Sequence, residues 1–198
     1  MAMGAQDQGI ANVQTSSSMA EERLKAVIDG LDAMDDASAI AALEAVLRDA
    51  PGLAGAHQLM AAIHAQMGDL DAAEAEFRAA LALDPELSVA RFQLGQLLIV
   101  RGDLDAAVLV LEPMASTARQ SPDADVLGAY ASAWLQAVQG ELEAAIREVD
   151  RGLAGPQALP ALAADMRKLR QVWLGALSEG DGPRPTVPLF LSGYNRQG

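Results

Sequence analysis

A six-residue segment occurs three times in this chain at nearly constant spacing. Residues 68–73 read Gly-Asp-Leu-Asp-Ala-Ala, residues 102–107 repeat them letter for letter, and residues 140–145 read Gly-Glu-Leu-Glu-Ala-Ala. The spacing of their glycines is 34 and then 38, which indicates a period of 34 with one short insertion. A period of about 20 to 50 residues is typical of stacked repeats, each of which buries its apolar face against its neighbours. The chain is therefore predicted to be a repeat array that offers a surface to a partner.

The clearest repeat, residues 54–87, has the pattern of two helices joined by a turn. Apolar or small residues recur at helical spacing on both sides of Gly68, and Asp84-Pro85 ends the second helix. Small residues let the helices approach closely, and Leu70 and Phe77 fill the space between them. The two stripes consist of His57, Met60, Ala61, His64, Ala73, Phe77, Ala80 and Leu81.

This pattern resembles the tetratricopeptide repeat, a helix pair of about 34 residues with small residues in both helices, a large residue in the second and a closing proline. The resemblance covers roughly residues 20–159 and implies an all-α fold, a right-handed solenoid of helix hairpins. In the other repeats it is carried by Ala39, Leu43, Val46 and Pro51, by Leu94, Gly95, Leu98, Gly102, Ala107 and Leu111, and by Ala133, Ala145 and Val149.

Three departures from the pattern modify this prediction. In the first repeat the helix stripe of Leu24, Val27, Ile28 and Leu31 lies one residue out of phase, as a shortened turn would explain. Pro113 falls inside a second helix, which we expect to stop or bend near Glu112, and the polar stretch 116–125 is expected to absorb the insertion. In the last repeat no closing proline is found, and Gly152 replaces a residue that is usually alanine.

The predicted organisation has three parts. Residues 1–19 lack periodicity and are expected to be disordered. Residues 20–179 form the repeat array, and residues 180–198 form a proline-rich, extended tail. Within the array the repeats are 20–53, 54–87, 88–121 and 126–159, and an amphipathic helix over 160–179 caps the end.

Charge and composition exclude several classes of function. The chain has a net charge of −13, so its surface repels nucleic acid and anionic lipid. Its one basic cluster, Arg167, Lys168 and Arg170, is interpreted as a solvated helix face. The absence of cysteine excludes disulfides and thiolate sites. Apolar runs are too short for membrane insertion, and we expect a soluble, cytoplasmic protein.

Residues able to bind metal or to catalyse a reaction have simpler structural interpretations. His57 and His64 are seven positions apart on one helix, about 10 Å by helical rise, too far for a shared metal. The acidic pairs that follow the repeated glycines begin helices, where carboxylates cap exposed amides. Because no nucleophile motif or phosphate-binding loop is found either, we expect no enzyme, metal or cofactor.

The remaining candidate is the groove formed by the first helices of the repeats. The resemblance implies that these helices line a concave surface, but the family's basic clamp for terminal carboxylates is missing at the matching positions. The predicted groove is apolar and suits a helix or an extended segment. Its residues are Gln58, Gln66, Phe92, Gln96, Ile99, Leu127, Tyr130 and Trp134, with Ala62 between the two glutamines of the repeat 54–87. In the alternative register, Leu127, Tyr130, Ala131 and Trp134 form a packing stripe instead.

The tail carries a second apolar cluster. Five apolar side chains occur close together there, and leaving all of them in water would create an aggregation-prone patch. We therefore expect residues 185–194 to dock on the protein's own surface or on that of an identical neighbour, with a flexible terminus as the alternative. The docking residues are Val187, Leu189, Phe190, Leu191 and Tyr194.

Together these observations predict a non-enzymatic scaffold or adaptor that binds a protein or peptide partner. Two alternatives remain open: a secretion-type chaperone that shields apolar segments of an exported substrate, and a self-assembling, homo-oligomeric protein whose tail enters a neighbour's groove. The sequence does not identify the partner.

Overall fold

The computed structural model describes residues 18–120 and 126–179, and every regular element in these two stretches is helical. The first helix, α1, covers 18–30 and is followed by a short 3-10 turn, Leu31–Ala33. The others are α2 (Asp36–Asp49), α3 (Ala54–Gln66), α4 (Leu70–Leu83), α5 (Ser88–Arg101), α6 (Leu104–Gln120), α7 (Val126–Val138), α8 (Leu142–Ala154) and α9 (Pro160–Glu179). The all-α class and the helix pairing at 54–87 and 88–121 are confirmed.

The helices fall into two compact units that divide between Pro85 and Glu86. In the first unit α3 packs against both α2 and α4. Its core includes Leu43, Leu59 and Phe77, all of them fully buried. The predicted role of Phe77 is thus met, whereas Leu70 is only half-buried.

In the second unit each helix packs against the next one along the chain, and α5 also contacts α7. The central helix α7 is buried at every position from Gly128 to Leu135 because it is surrounded by its neighbours. The helix α9 buries Met166, Leu169 and Trp173. It follows α8 and packs against it, and its role as a capping helix stays a prediction.

The three repeated glycines end α3, α5 and α7 with the same turn. Gly68, Gly102 and Gly140 have φ of 83°, 81° and 84°, in the left-handed region that glycine adopts without a steric penalty. The residue after each glycine donates its backbone N–H to a carbonyl five positions earlier, at 2.9, 3.0 and 2.9 Å. A Cβ on any of the three would meet nothing within 4 Å, so backbone conformation and not crowding requires glycine.

The acidic residues after these glycines cap the following helices in two of the three cases. Asp69 Oδ1 accepts from the amide of Ala72 at 3.1 Å, and Asp103 Oδ1 accepts from the amide of Ala106 at 3.3 Å. Glu141 makes no such cap. The longer glutamate side chain does not fit the short reach from the N-cap position to the first-turn amides.

The second helix of the third repeat, which is expected to stop or bend near Glu112, does not stop there, and a bend at this point stays a prediction. The helix α6 continues through Pro113 to Gln120. A mid-helix proline costs about 3 kcal/mol, but Leu111 and Met114 are buried on either side of it and hold the helix in place. Of the stretch 116–125, which is expected to absorb the insertion, residues 116–120 lengthen α6 and residues 121–125 lie outside the described residues.

The first repeat differs from the others at its turn. In place of a left-handed glycine, Gly30 has φ of −97° and precedes the 3-10 turn. Asp35 caps α2 by accepting from the amide of Ser38 at 2.7 Å. The predicted stripe is only partly buried, because Leu24 and Leu31 are in the core while Ile28 is 40% exposed. The predicted disordered segment lies outside the described residues up to 17, and 18–19 belong to α1.

Truncating the core aromatic of α4 tests the hairpin at 54–87. We expect Phe77→Ala to lower the free energy of unfolding by about 3–5 kcal/mol, because a fully buried ring is replaced by a cavity. Leu83→Ala is the matched control in the same helix, since Leu83 is 46% exposed. Urea titration followed by circular dichroism measures both. Equal stability of the two variants would contradict the assigned packing.

Candidate functional site

The second unit contains a cavity of about 250 Å³ at the N-terminal ends of α7 and α9. Two residues of the predicted groove, Leu127 and Tyr130, line it. The loop between α8 and α9 closes one side. Other lining residues are Val89, Gln157, Ala158, Leu159 and Leu162. The cavity is therefore mainly apolar, with two polar side chains.

The polar groups of this cavity are bonded to each other and to the backbone. Tyr130 is fully buried, and its hydroxyl donates to Gln157 Oε1 at 3.3 Å. The Gln157 Nε2 group donates to the carbonyls of Gly152 and Gly155 at 2.8 and 2.7 Å. Since these donors are engaged within the protein, the cavity presents apolar surface to an occupant.

The phenol of Tyr130 is held neutral. Burial raises its pKa above the ordinary value, an effect that the positive charge of Arg167 and the hydrogen bond with Gln157 oppose. A neutral phenol adds no charge to the cavity. The surroundings of Tyr130 are accordingly those of a mainly apolar recess.

The ring of Tyr130 explains why glycine replaces alanine at position 152. A Cβ on Gly152 would lie 2.3 Å from Cε1 of Tyr130 and 2.7 Å from Cδ1, well inside van der Waals contact. The ring therefore occupies the space that a side chain on α8 would fill. Gly152, which departs from the repeat pattern, and Tyr130 of α7 therefore belong to the same contact between α7 and α8.

The predicted groove aromatics lie in the core of the second unit. Tyr130 packs against Phe92 of α5 with ring centroids 6.4 Å apart at an angle of 49°. Trp134 is fully buried and meets Trp173 of α9 edge to face, with centroids 5.6 Å apart and planes at 88°. The burial of Tyr130 and Trp134 agrees with the alternative, in which they belong to a packing stripe. Trp173 of α9 contributes to the cover of Trp134.

The other predicted groove residues vary in exposure. Gln58, Gln96 and Ile99 are 6%, 1% and 6% exposed, which leaves little of them for a partner. Gln66 is exposed, and Leu127 is half-buried at the wall of the cavity. The partner-binding role of this set stays a prediction, best supported at Leu127.

The two histidines connect α3 to its surroundings. His57 Nδ1 lies 2.7 Å from Glu76 Oε2 of α4, and its Nε2 lies 3.2 Å from the carbonyl oxygen of Pro51. His64 Nδ1 lies 3.9 Å from Asp69 Oδ2, beyond hydrogen-bond distance. The interpretation as a satisfied structural histidine therefore holds for His57 and is incomplete for His64.

The basic cluster on α9 is largely neutralised by ion pairs. Arg170 pairs with Asp150 of α8, with N–O distances of 2.5 and 3.1 Å. Lys168 Nζ lies 3.1 Å from Oδ1 of the buried Asp165. Arg167 is exposed and its charge acts on Tyr130. The pairing fits the expectation of a solvated helix face.

Several cavity residues could not be found from the repeat pattern. Val89 and Leu162 occupy first-turn positions of α5 and α9, where apolar periodicity indicates burial but no site. Gln157 lies in a loop after the last repeat, and nothing in the sequence around it indicates its bonds to two glycine carbonyls. Gly152 is the sequence feature that could have indicated the site. A very small residue at a packed position of one helix leaves space for a large side chain, here Tyr130, from the neighbouring helix.

Comparison with known proteins supports the repeat assignment. Residues 65–132 match the family model described as Tetratricopeptide repeat. The match runs from the end of α3 into α7 and includes the whole repeat at 88–121. No curated protein matches the chain. No helix in the described part of the chain has the length and apolar character needed to cross a membrane.

Adding one methyl group at position 152 tests the contact with Tyr130. We expect Gly152→Ala to destabilise the protein by about 1–3 kcal/mol, because the new Cβ overlaps the ring and overpacks the interface. Gly175→Ala is the control within α9, where a Cβ meets nothing within 4 Å and helix propensity favours alanine by about 0.5–1 kcal/mol. Thermal melts of both variants measure the difference. A stabilising effect of both substitutions would contradict the contact.

The contact between the two tryptophans predicts a structural role for Trp134. We expect Trp134→Ala to lower the free energy of unfolding by about 3–5 kcal/mol, as for other buried aromatics. Leu109→Ala, which truncates a side chain that is 76% exposed, should change it by less than about 0.5 kcal/mol. Denaturant titrations measure the free energy of unfolding of both variants. A Trp134→Ala protein as stable as the Leu109→Ala protein would contradict a core role for Trp134 and would support its predicted role in partner binding.

Proposed function

We propose that this chain, of which residues 65–132 match the tetratricopeptide repeat family, is a non-enzymatic adaptor that captures an apolar segment of a partner protein at the cavity around Tyr130. Tetratricopeptide repeats generally mediate contacts between proteins. The single observation that carries the proposal is the cavity itself, an apolar recess with internally bonded polar groups.

The size of the cavity favours a side chain over a small-molecule ligand. Sites for cofactors and drug-sized ligands usually enclose about 300–1,000 Å³, and this one encloses about 250 Å³. One large apolar side chain presented by a helix or an extended peptide fits such a volume. Anchoring by a single buried side chain is a common basis of affinity between proteins.

The electrostatics of the chain support an apolar or basic partner segment. With a net charge of −13, the protein repels acidic peptides and nucleic acid at long range. Tyr130 and Gln157, polar side chains that line the cavity, are uncharged, and the single positive charge of Arg167 that acts on Tyr130 is small against the net charge of the chain. The proposed partner segment therefore has an aromatic or large aliphatic anchor and no acidic flanks. If the partner is an exported protein, the same mechanism makes the chain a secretion chaperone.

Self-assembly is a second candidate, favoured by an apolar face on α6. Leu104, Val108 and Leu109 are 41%, 37% and 76% exposed. At the position corresponding to Leu109, α4 carries Ala75 and α8 carries Arg147. A large exposed apolar side chain at this point of one repeat would suit contact with a second copy. Light scattering over a concentration series tests it, since assembly predicts a mass that grows with concentration.

A peptide selection tests the adaptor proposal. The full chain is used to select binders from a displayed library of random peptides, and the selected sequences are then measured against two variants. Ala158→Trp fills the mouth of the cavity, whereas Ala154→Trp places the same side chain at the end of α8, outside the cavity lining. We expect peptides with aromatic or leucine anchors, whose binding Ala158→Trp weakens at least about tenfold, or about 1.4 kcal/mol, and Ala154→Trp does not.

Two results would contradict the proposal. Selected peptides whose affinity is the same for both tryptophan variants would place binding elsewhere on the protein. Selection of acidic peptides without an apolar anchor would reject the chemistry assigned to the cavity. A pull-down from the cells of origin then identifies the natural partner of the site.

A further inference from the structure

We propose that the cavity around Tyr130 is also the docking site of the chain's own segment 189–191, with Phe190 as the inserted side chain. The docking of the tail is independent of any partner. Its consequence, that the tail competes with the partner segment, rests on the proposed function. Residues 180–198 lie outside the described residues, and the cavity, the end of α9 and the tail's sequence support the proposal.

The position of the cavity along α9 sets which tail residues can reach it. The described chain ends at Glu179, and the cavity is lined by Leu162 near the other end of the same helix. At about 1.5 Å per residue these two positions are about 26 Å apart along the helix axis. A tail that docks must therefore run back along the length of α9.

The reach of an extended chain then selects the segment. Phe190 follows Glu179 by 11 positions, which span at most about 36–40 Å when extended. Val187 follows it by only eight positions, or about 26–29 Å, which leaves almost no slack for the path around the helix. Of the five predicted docking residues, those from Leu189 onward reach the cavity comfortably.

The chemistry of the cavity favours Phe190 within that segment. The hydroxyl of Tyr130 and the amide of Gln157 already donate within the protein, so an apolar group loses nothing by entering. A phenyl ring also gains contact with the ring of Tyr130, and aromatic pairs contribute beyond their buried area. Leucine at 189 or 191 would fill less of the available volume.

Two further properties lower the cost of docking. Pro185 and Pro188 restrict the segment to extended conformations, so less conformational entropy is lost when it binds. Residues 180–198 contain two arginines and one aspartate, whereas the whole chain has a net charge of −13. The tail therefore does not share the negative charge of the protein that carries it, and its docking meets little electrostatic repulsion.

Paramagnetic broadening in the full chain tests the proposal directly. The chain contains no cysteine, so Ser192→Cys accepts a single nitroxide two positions after Phe190. We expect the amide signals of Leu127, Gln157 and Leu162 to lose most of their intensity, and that of Leu177, about 22 Å from Leu162 along the axis of α9, to lose much less. Unchanged intensities at the cavity would overturn the proposal.

Two variants and a mixed sample separate the possible causes of broadening. Phe190→Ala in the labelled chain should restore the cavity signals, whereas Val187→Ala should leave them broadened. In a mixture of nitroxide-bearing chains without ¹⁵N and ¹⁵N-labelled chains without nitroxide, docking within one chain predicts no broadening. Broadening in the mixture would show that the tail enters a neighbour's cavity and would overturn docking within the chain. Because no partner is present, failure here leaves the peptide-binding test of the adaptor intact.

Discussion

The close approach of paired helices, with a small residue facing a large one, is the constraint on which the second unit depends. A Cβ on Gly95 would lie 2.4 Å from Leu111 of α6, and a Cβ on Gly152 would lie 2.3 Å from the ring of Tyr130. Each pair brings two helices nearer than two ordinary side chains allow. Left-handed turns such as the one at Gly102 set the direction of the second helix before this packing forms. Loss of either feature would separate the helices and expose their shared core.

The candidate site follows from the variation of this constraint in the last repeat. In the preceding repeat the small residue, Gly95, is on the first helix and the large one is on the second. In the last repeat the order is reversed, and the large residue is Tyr130 of α7. Its ring crosses the interface, and its hydroxyl meets Gln157 of the loop before α9. Because the large residue is on the first helix in this repeat, the ring of Tyr130 lines the apolar cavity.

The sequence predicts what local chemistry decides and misses what packing between elements decides. The glycine turns, the burial of Phe77 and the start of α9 follow from backbone conformation and periodicity. The continuation of α6 through Pro113 could not be predicted, because contacts from other helices outweigh the local cost. Burial of Trp134 depends on Trp173, which lies in a later helix without the repeat pattern. The bonds of Gln157 depend on loop geometry that no periodicity encodes.

The central claim is that the cavity around Tyr130 receives an apolar side chain. Methyl NMR of the Phe190→Ala chain, titrated with N-acetyl-phenylalanine amide, tests it most directly, since the native tail then does not compete. We expect saturable shifts of the methyl signals of Val89, Leu127 and Leu162, with Leu43 in the first unit unaffected. Methyl signals of the cavity that stay in place, or shifts of equal size in both units, would contradict it.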